Sequence, residues 1–202
     1  MPVVGGETVD DVGFIARLPD ELVARRIADS ARVYAVRSSR GGYMTYTLAC
    51  AMFDRIAAAA AFIASMTEYQ REDCRPGRAV PLMVVAGTAD PTNRYEGGRG
   101  PRGRLLSVPD TLEFWRDVHG CTGRTVKGLP HRDGSDPTRV TLIQWTGCRT
   151  PGALRLYRVE GGGHHMPALT AAGAERFGRR NGGSTRPRRR GPSSATSRAE
   201  TP

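Results

Sequence analysis

Three short apolar runs, each closing on a turn that carries a reactive side chain, constrain the fold of this chain most. Residues 32–36 (Arg-Val-Tyr-Ala-Val) are β-branched and aromatic, and a Ser/Arg/Gly turn follows at 37–42. Residues 80–85 form a second run that ends at Gly87-Thr88-Ala89-Asp90-Pro91, and residues 153–159 a third that ends at Glu160-Gly161-Gly162-Gly163-His164-His165. The first two suit buried strands, and the third alternates in the manner of a paired strand. Between them lie stretches of helical character, residues 43–52 and 108–119, so the order of elements predicts an α/β layered domain: a mostly parallel sheet flanked by helices.

Further elements follow from local pattern. Residues 9–28 repeat apolar side chains at helical spacing, with Pro19 expected to break the helix or start a new first turn. Residues 56–63 read as a strand at their start. Residues 96–104, rich in Gly, Arg and Pro, read as a surface loop, and Asp110 as the N-cap of the helix at 108–119. Residues 140–145 alternate as a partner strand for 153–159. Phe114 and Trp115 are expected in the core, His119 at a helix end and His131 in a loop.

The chain has 202 residues and a formal net charge of +10. That length suits one domain with a real core. The charge is unevenly placed: eight Arg against the single acid Glu200 leave +7 on residues 176–202 and only +3 on the rest. The expected division is a domain at 1–177 and a disordered Arg-rich tail at 178–202. No apolar run nears the roughly 20 residues that span a bilayer, so a membrane-spanning helix is excluded. Residues 1–6 show neither the basic start nor the apolar stretch of a signal peptide. Cys50, Cys74, Cys121 and Cys148 lack C-x-x-C spacing, which argues against a zinc ribbon or a thioredoxin-like site. Their even number permits two disulfides, and Cys50–Cys74 with Cys121–Cys148 is one of three connectivities.

Each of the three turns carries a side chain with chemistry. In Arg37-Ser38-Ser39-Arg40-Gly41-Gly42, Ser39 lies between strand and helix, as in the nucleophile elbow G-x-S-x-G, although Arg37 stands where the first glycine belongs. A plain helix N-cap is the alternative for this serine. Asp90 follows a strand at the crevice where open α/β sheets place ligands, though an Asp-Pro turn is also common. His164 follows a glycine-rich turn, and histidine is the usual general base near neutral pH. Together they run Ser39, Asp90, His164, which is the chain order of α/β-hydrolases.

At this point a resemblance enters. Val9-Asp10-Asp11-Val12-Gly13-Phe14-Ile15, Arg32-Val33-Tyr34-Ala35, Gly41-Gly42 and Leu48-Ala49-Cys50 resemble the esterase family of poly(3-hydroxybutyrate) depolymerases and feruloyl esterases. So do Cys74-Arg75-Pro76, Gly87-Thr88-Ala89-Asp90-Pro91, Tyr95-Glu96-Gly97-Gly98 and Ser107-Val108-Pro109-Asp110-Thr111. Gly120-Cys121, Trp145-Thr146-Gly147-Cys148 and Glu160-Gly161-Gly162-Gly163-His164 complete the likeness, over roughly residues 9–167. It implies an α/β-hydrolase that cleaves carboxylic esters, is secreted, and needs no metal or cofactor. It makes Ser39 the nucleophile, Asp90 the orienting acid, His164 the base and the Arg40 backbone N–H one oxyanion donor. It favours the Cys50–Cys74 and Cys121–Cys148 pairing, and it suggests Tyr43, Trp145, His165 and Met166 as substrate-lining residues, with the core as the alternative for Trp145.

The chain also departs from that family. Several strands and a second oxyanion loop are expected before the helix at 9–28, which makes this a partial α/β-hydrolase fold, shortened at its start and diverged at its end. Arg37 replaces a glycine, Arg40 an asparagine, and His165-Met166-Pro167 a Thr-Trp-Pro, which removes an aromatic from the substrate wall. The alternative to an esterase is an inactive hydrolase-like fragment whose basic tail binds anionic partners such as nucleic acid, nonspecifically and with strong salt dependence. Gly97-Gly98-Arg99-Gly100 lacks the Lys-Ser/Thr ending of a phosphate loop, and His164-His165 has no third ligand nearby for a metal.

Overall fold

The computed structural model describes residues 3–4, 7–100, 103–131, 134–150, 153–167 and 175–181. A small hairpin of β1 (Val3–Val4) and β2 (Glu7–Thr8) precedes helix α1 (Asp11–Ala24). The main sheet takes strands β3 (Tyr34–Ser38), β4 (Ala58–Phe62), β5 (Leu82–Gly87), β8 (Gly123–Gly128), β9 (Arg139–Thr146) and β10 (Leu154–Glu160). Its spatial order is β3-β4-β5-β10-β9-β8. The first four of these run parallel, and β9 and β8 extend the sheet antiparallel. Helices α2 (Arg40–Ala51), α3 (Glu68–Asp73) and α4 (Val108–His119) connect the strands. A second hairpin, β6 (Gly98–Gly100) with β7 (Gly103–Leu105), precedes α4. The expected α/β architecture is the one observed.

Local chemistry explains the elements. Asp10 caps α1 by accepting the Gly13 N–H, and the helix runs through Pro19 rather than breaking there. Proline removes one intrahelical N–H, and beside that interruption the Arg55 guanidinium donates to the Ala16 carbonyl. Thr67 and Gln70 form a reciprocal capping box on α3. Ser107, not Asp110, is the N-cap of α4: its hydroxyl accepts the Asp110 N–H, so Asp110 lies in the first helical turn. The stretch read as a loop at 96–104 is mostly the β6–β7 hairpin, opened by Gly98 and Gly103 at positive φ.

The core lies between the sheet and its helices. Tyr46, Met66, Leu112, Trp115, Leu154 and Leu156 are among its largest members. Trp115 stands edge-on to Phe114 and directs its indole N–H at the Met66 sulfur, while the Thr111 hydroxyl accepts the Met66 N–H. Tyr46 donates its hydroxyl to the Ala64 carbonyl, and burial pushes its phenol far up. Two disulfides, Cys50–Cys74 and Cys121–Cys148, join α2 to the end of α3 and the segment after α4 to the loop after β9. No described helix is long and apolar enough to cross a membrane.

His119, the last residue of α4, is completely buried, and among the described residues neither ring nitrogen has a hydrogen-bond partner. Burial first, and then the charge of Arg149, push it down to about 4 from 6.5. The folded protein therefore refuses a proton that the unfolded chain accepts between those values. Stability rises with pH through that window and is fully present above 6.5. Acidification to pH 4 should cost about 2–3 kcal/mol from this residue alone. Urea unfolding at neutral pH and at the acid end of the window, on wild type and His119→Leu, checks this: the variant should lose less stability on acidification, and equal losses would refute the assignment.

Candidate active site

Ser39 occupies the turn between β3 and α2 with φ 53° and ψ −121°. Positive φ in a non-glycine residue costs about 1–3 kcal/mol and persists only where the surroundings enforce it. Here the Ser39 N–H donates to the Phe62 carbonyl and the Gly42 N–H to the Ser39 carbonyl, which pins the turn on both sides. Ser39 sits at the N-cap position of α2, yet its side chain makes no capping bond. Its hydroxyl turns instead towards His164.

Two glycines make this turn possible. A Cβ on Gly42 would lie 2.4 Å from the Cβ of Ala64, so glycine there lets α2 close onto the segment after β4. A Cβ on Gly41 would lie 2.7 Å from the Cβ of Arg37. The bulky residue at the start of the elbow is thus accommodated by the glycine at its end, and Arg37 itself is exposed.

Asp90 and His164 arrive from the ends of β5 and β10, which pair in parallel. The loops after the two strands are stitched together: the Thr88 N–H donates to the Val159 carbonyl, the Ala89 N–H to the Gly162 carbonyl, and the Gly161 N–H to the Thr88 hydroxyl. One Asp90 oxygen accepts the N–H groups of Thr92 and Asn93 at 2.8 and 2.7 Å. The other lies 2.7 Å from His164 Nδ1, and His164 Nε2 lies 2.8 Å from Ser39 Oγ. An ionised carboxylate can only accept, so Asp90 selects the tautomer with the proton on Nδ1, leaving Nε2 to accept the Ser39 hydroxyl. Asp90 is almost wholly buried, with a side-chain exposure of 1%, and the imidazole is 9% exposed.

The glycine turn before His164 is held from two directions. A Cβ on Gly87 would lie 2.2 Å from the Gly162 carbonyl oxygen, and one on Gly163 would lie 2.2 Å from that of Phe177. The second contact belongs to residues 175–181. Here the Gly163 N–H donates to the Arg179 carbonyl and the His164 N–H to that of Phe177, while buried Asn181 donates to the Thr138 hydroxyl. Arg179 and Asn181, read from sequence as part of a disordered tail, are therefore bonded to the domain, the first through its carbonyl and the second through its side chain. Beyond Asn181 that tail lies outside the described residues. Gly87→Ala would force the two loops apart, and we expect it to destabilise the fold by about 1–3 kcal/mol, measured by urea titration. An unchanged transition midpoint would contradict the close contact.

The other sequence candidates are distributed unevenly. The Arg40 N–H opens α2, where the first amides have no intrahelical acceptor. Tyr43, one turn into α2, donates its hydroxyl to Asn93, whose own N–H is bound by Asp90. His165 packs edge-on to Phe177, and Met166 is exposed. Trp145 is different: it belongs to the hydrophobic core on β9, so the core alternative holds for it rather than the substrate wall. Sequence reasoning missed Thr88, Asn93 and Phe177. The ring of Phe177 stands 6.1 Å from that of His164, so an aromatic does reach the histidine, though from a different segment than expected. Among the described residues no group of three or more His, Cys, Asp or Glu is arranged to hold a metal ion.

A mostly parallel sheet flanked by helices, with a serine on the strand-to-helix turn, defines an α/β-hydrolase-like fold. Known proteins agree with that class. The chain is 28% identical over 162 residues to feruloyl esterase B of Piromyces equi, covering 77% of this chain and 29% of that protein. It is 27% identical over 173 residues to the putative esterase NocK of Nocardia uniformis subsp. tsuyamanensis, covering 79% and 49% respectively. The chain thus spans half or less of the length of these relatives. In fold it is similar to acetyl xylan esterase from Aspergillus awamori, with a TM-score of 0.52 at 15% identity, over 75% of this chain and 61% of that one. No family model matches the chain.

Proposed function

We propose that the chain is a serine carboxylic-ester hydrolase acting through Ser39, His164 and Asp90. The observation that carries this reading is the unbroken relay from Ser39 Oγ through the imidazole to Asp90, with both contacts below 3 Å. The likeness to esterases of two kinds supports it.

In the mechanism that follows, His164 Nε2 takes the hydroxyl proton as Ser39 Oγ attacks the ester carbonyl. Asp90 holds the ring in place and stabilises the imidazolium. The Arg40 N–H, at the positive end of α2, faces the oxygen on which charge develops. The protonated imidazole then gives its proton to the leaving alcohol, an acyl-enzyme remains on Ser39, and water activated by His164 releases the acid. Hydroxyalkanoate and feruloyl esters are the substrate classes we favour, with Tyr43, His165 and Met166 as the side chains we place along the substrate. Two disulfides suit an oxidising, extracellular setting.

The reading is tested by incubating the purified chain with a fluorophosphonate and mapping the modified peptide. Stoichiometric labelling on Ser39, accompanied by loss of p-nitrophenyl butyrate hydrolysis, is the expected result. Well-folded protein that neither labels nor hydrolyses the ester would end the proposal.

A further inference from the structure

A cleft of about 560 Å³ is walled by Arg71, Arg75, Arg78 and Arg149, with Phe114 and Val118 forming an apolar side. It lies at the other end of the sheet from Ser39. Arg78 and Arg149 precede β5 and β10, whereas Asp90 and His164 follow the same two strands. Six residues of β5 at about 3.3 Å each separate the two places by roughly 20 Å. The cleft therefore takes no part in the relay.

None of these four arginines is in an ion pair among the described residues, although Arg25, Arg32, Arg55, Arg104, Arg116 and Arg158 all have carboxylate partners. Three are held by backbone carbonyls instead. Arg75 donates to the carbonyls of Arg71 and Cys74, Arg78 to that of Ile56 and Arg149 to that of Val118. Each such bond uses few of the five guanidinium N–H groups and fixes where the charge sits. Both flanks are covalently set: Cys74 in the wall is bonded to Cys50, and Cys148 beside Arg149 is bonded to Cys121.

Four arginines lining one concavity make it electropositive, and such a concavity attracts an anion. The planar fork of arginine matches carboxylate and phosphate oxygens in pairs. We propose that this cleft binds a small organic polyanion, its carboxylate or phosphate groups held by the four guanidiniums and its carbon body laid on Phe114 and Val118. The volume falls within the range of small-molecule sites, about 300–1,000 Å³. Binding here is independent of ester hydrolysis.

The experiment titrates the full, disulfide-intact chain with citrate and separately with phenyl phosphate at low ionic strength, followed by calorimetry and amide NMR. Expected are amide shifts at Arg75, Gly77, Arg78, Ala79 and Val118 and around Arg149, with the tighter probe showing which anionic group the cleft prefers. The double variant Arg78→Gln/Arg149→Gln should bind about 100-fold or more weakly, since two charge-assisted hydrogen bonds to the anion are lost. Arg78→Lys/Arg149→Lys, which keeps the charge and loses the forks, should fall between and guards against a folding artefact. Ser39→Ala should bind as wild type does. Shifts confined to the arginine-rich residues 186–198, equal affinity in the double Gln variant, or no binding of either probe at millimolar concentration would each overturn the proposal.

Discussion

Ser39→Ala should lower ester hydrolysis by about 10⁴-fold or more while leaving the melting temperature unchanged. Triad members act as a unit, so removing the nucleophile forfeits nearly all that the unit supplies, and what remains comes from binding and the oxyanion donors. The fold should not notice, because alanine keeps the Cβ and imposes the same backbone preference at φ 53°. Ser39→Gly should behave differently: glycine tolerates positive φ, so it should abolish hydrolysis equally and raise stability by about 1 kcal/mol. A pair of equally inactive variants of which only the glycine one is more stable than wild type would identify backbone strain held at residue 39. Residual activity within tenfold of wild type in Ser39→Ala would instead mean that another group attacks the ester.

Removal of Cys121–Cys148 should have the largest effect on stability. The bond closes a loop of 27 residues, and closure of a loop that long in the unfolded chain corresponds to about 3–4 kcal/mol. Cys50–Cys74 closes 24 residues and should contribute a similar amount. For a domain whose total stability is expected to be about 5–15 kcal/mol, losing both would leave little. Cys121→Ser/Cys148→Ser should melt about 10 °C lower than wild type, and wild type treated with a strong reductant lower still. The bond also anchors the antiparallel side of the sheet. Beside it the Thr122 N–H meets the Thr146 carbonyl and the Arg149 N–H the His119 carbonyl, contacts that should exchange faster once it is gone. A melting temperature unmoved by reductant would remove this pair from the account of stability.

Sequence was most informative where burial dictates composition. The runs at 80–85 and 153–159 became β5 and β10 with shifts of one or two residues, β5 because a strand buried along nearly its whole length must be apolar and β10 because its buried side chains recur among exposed or half-buried ones. The run at 32–36 became β3, displaced by two. Elements held by backbone pairing alone left no such trace. Every residue of β8 is exposed, and Gly-Arg-Thr-Val-Lys-Gly has no pattern that asks for a strand; only its ladder to β9 makes it one. Helix α3, six polar residues long, rests on its capping box and was equally invisible. At the site, the positions of Ser39, Asp90 and His164 on turns were legible from chemistry and chain order. The approach of His164 to Ser39 across 125 residues depends on strand order, which sequence does not display. The arginine cleft was hidden for the same reason, since Arg149 is far along the chain from Arg71, Arg75 and Arg78.

The sheet holds its three reactive residues with unequal firmness. Strands β5 and β10 are each hydrogen-bonded on both sides, but among the described residues β3 pairs with β4 alone and leaves Tyr34 and Val36 exposed. Detaching β3 breaks one ladder; detaching β5 or β10 breaks two. Partial opening of the native state should therefore begin at β3, and it would carry the serine away while Asp90 and His164 remain joined. On the proposed mechanism, such an opening would part the nucleophile from its base reversibly, at a lower free energy than global unfolding.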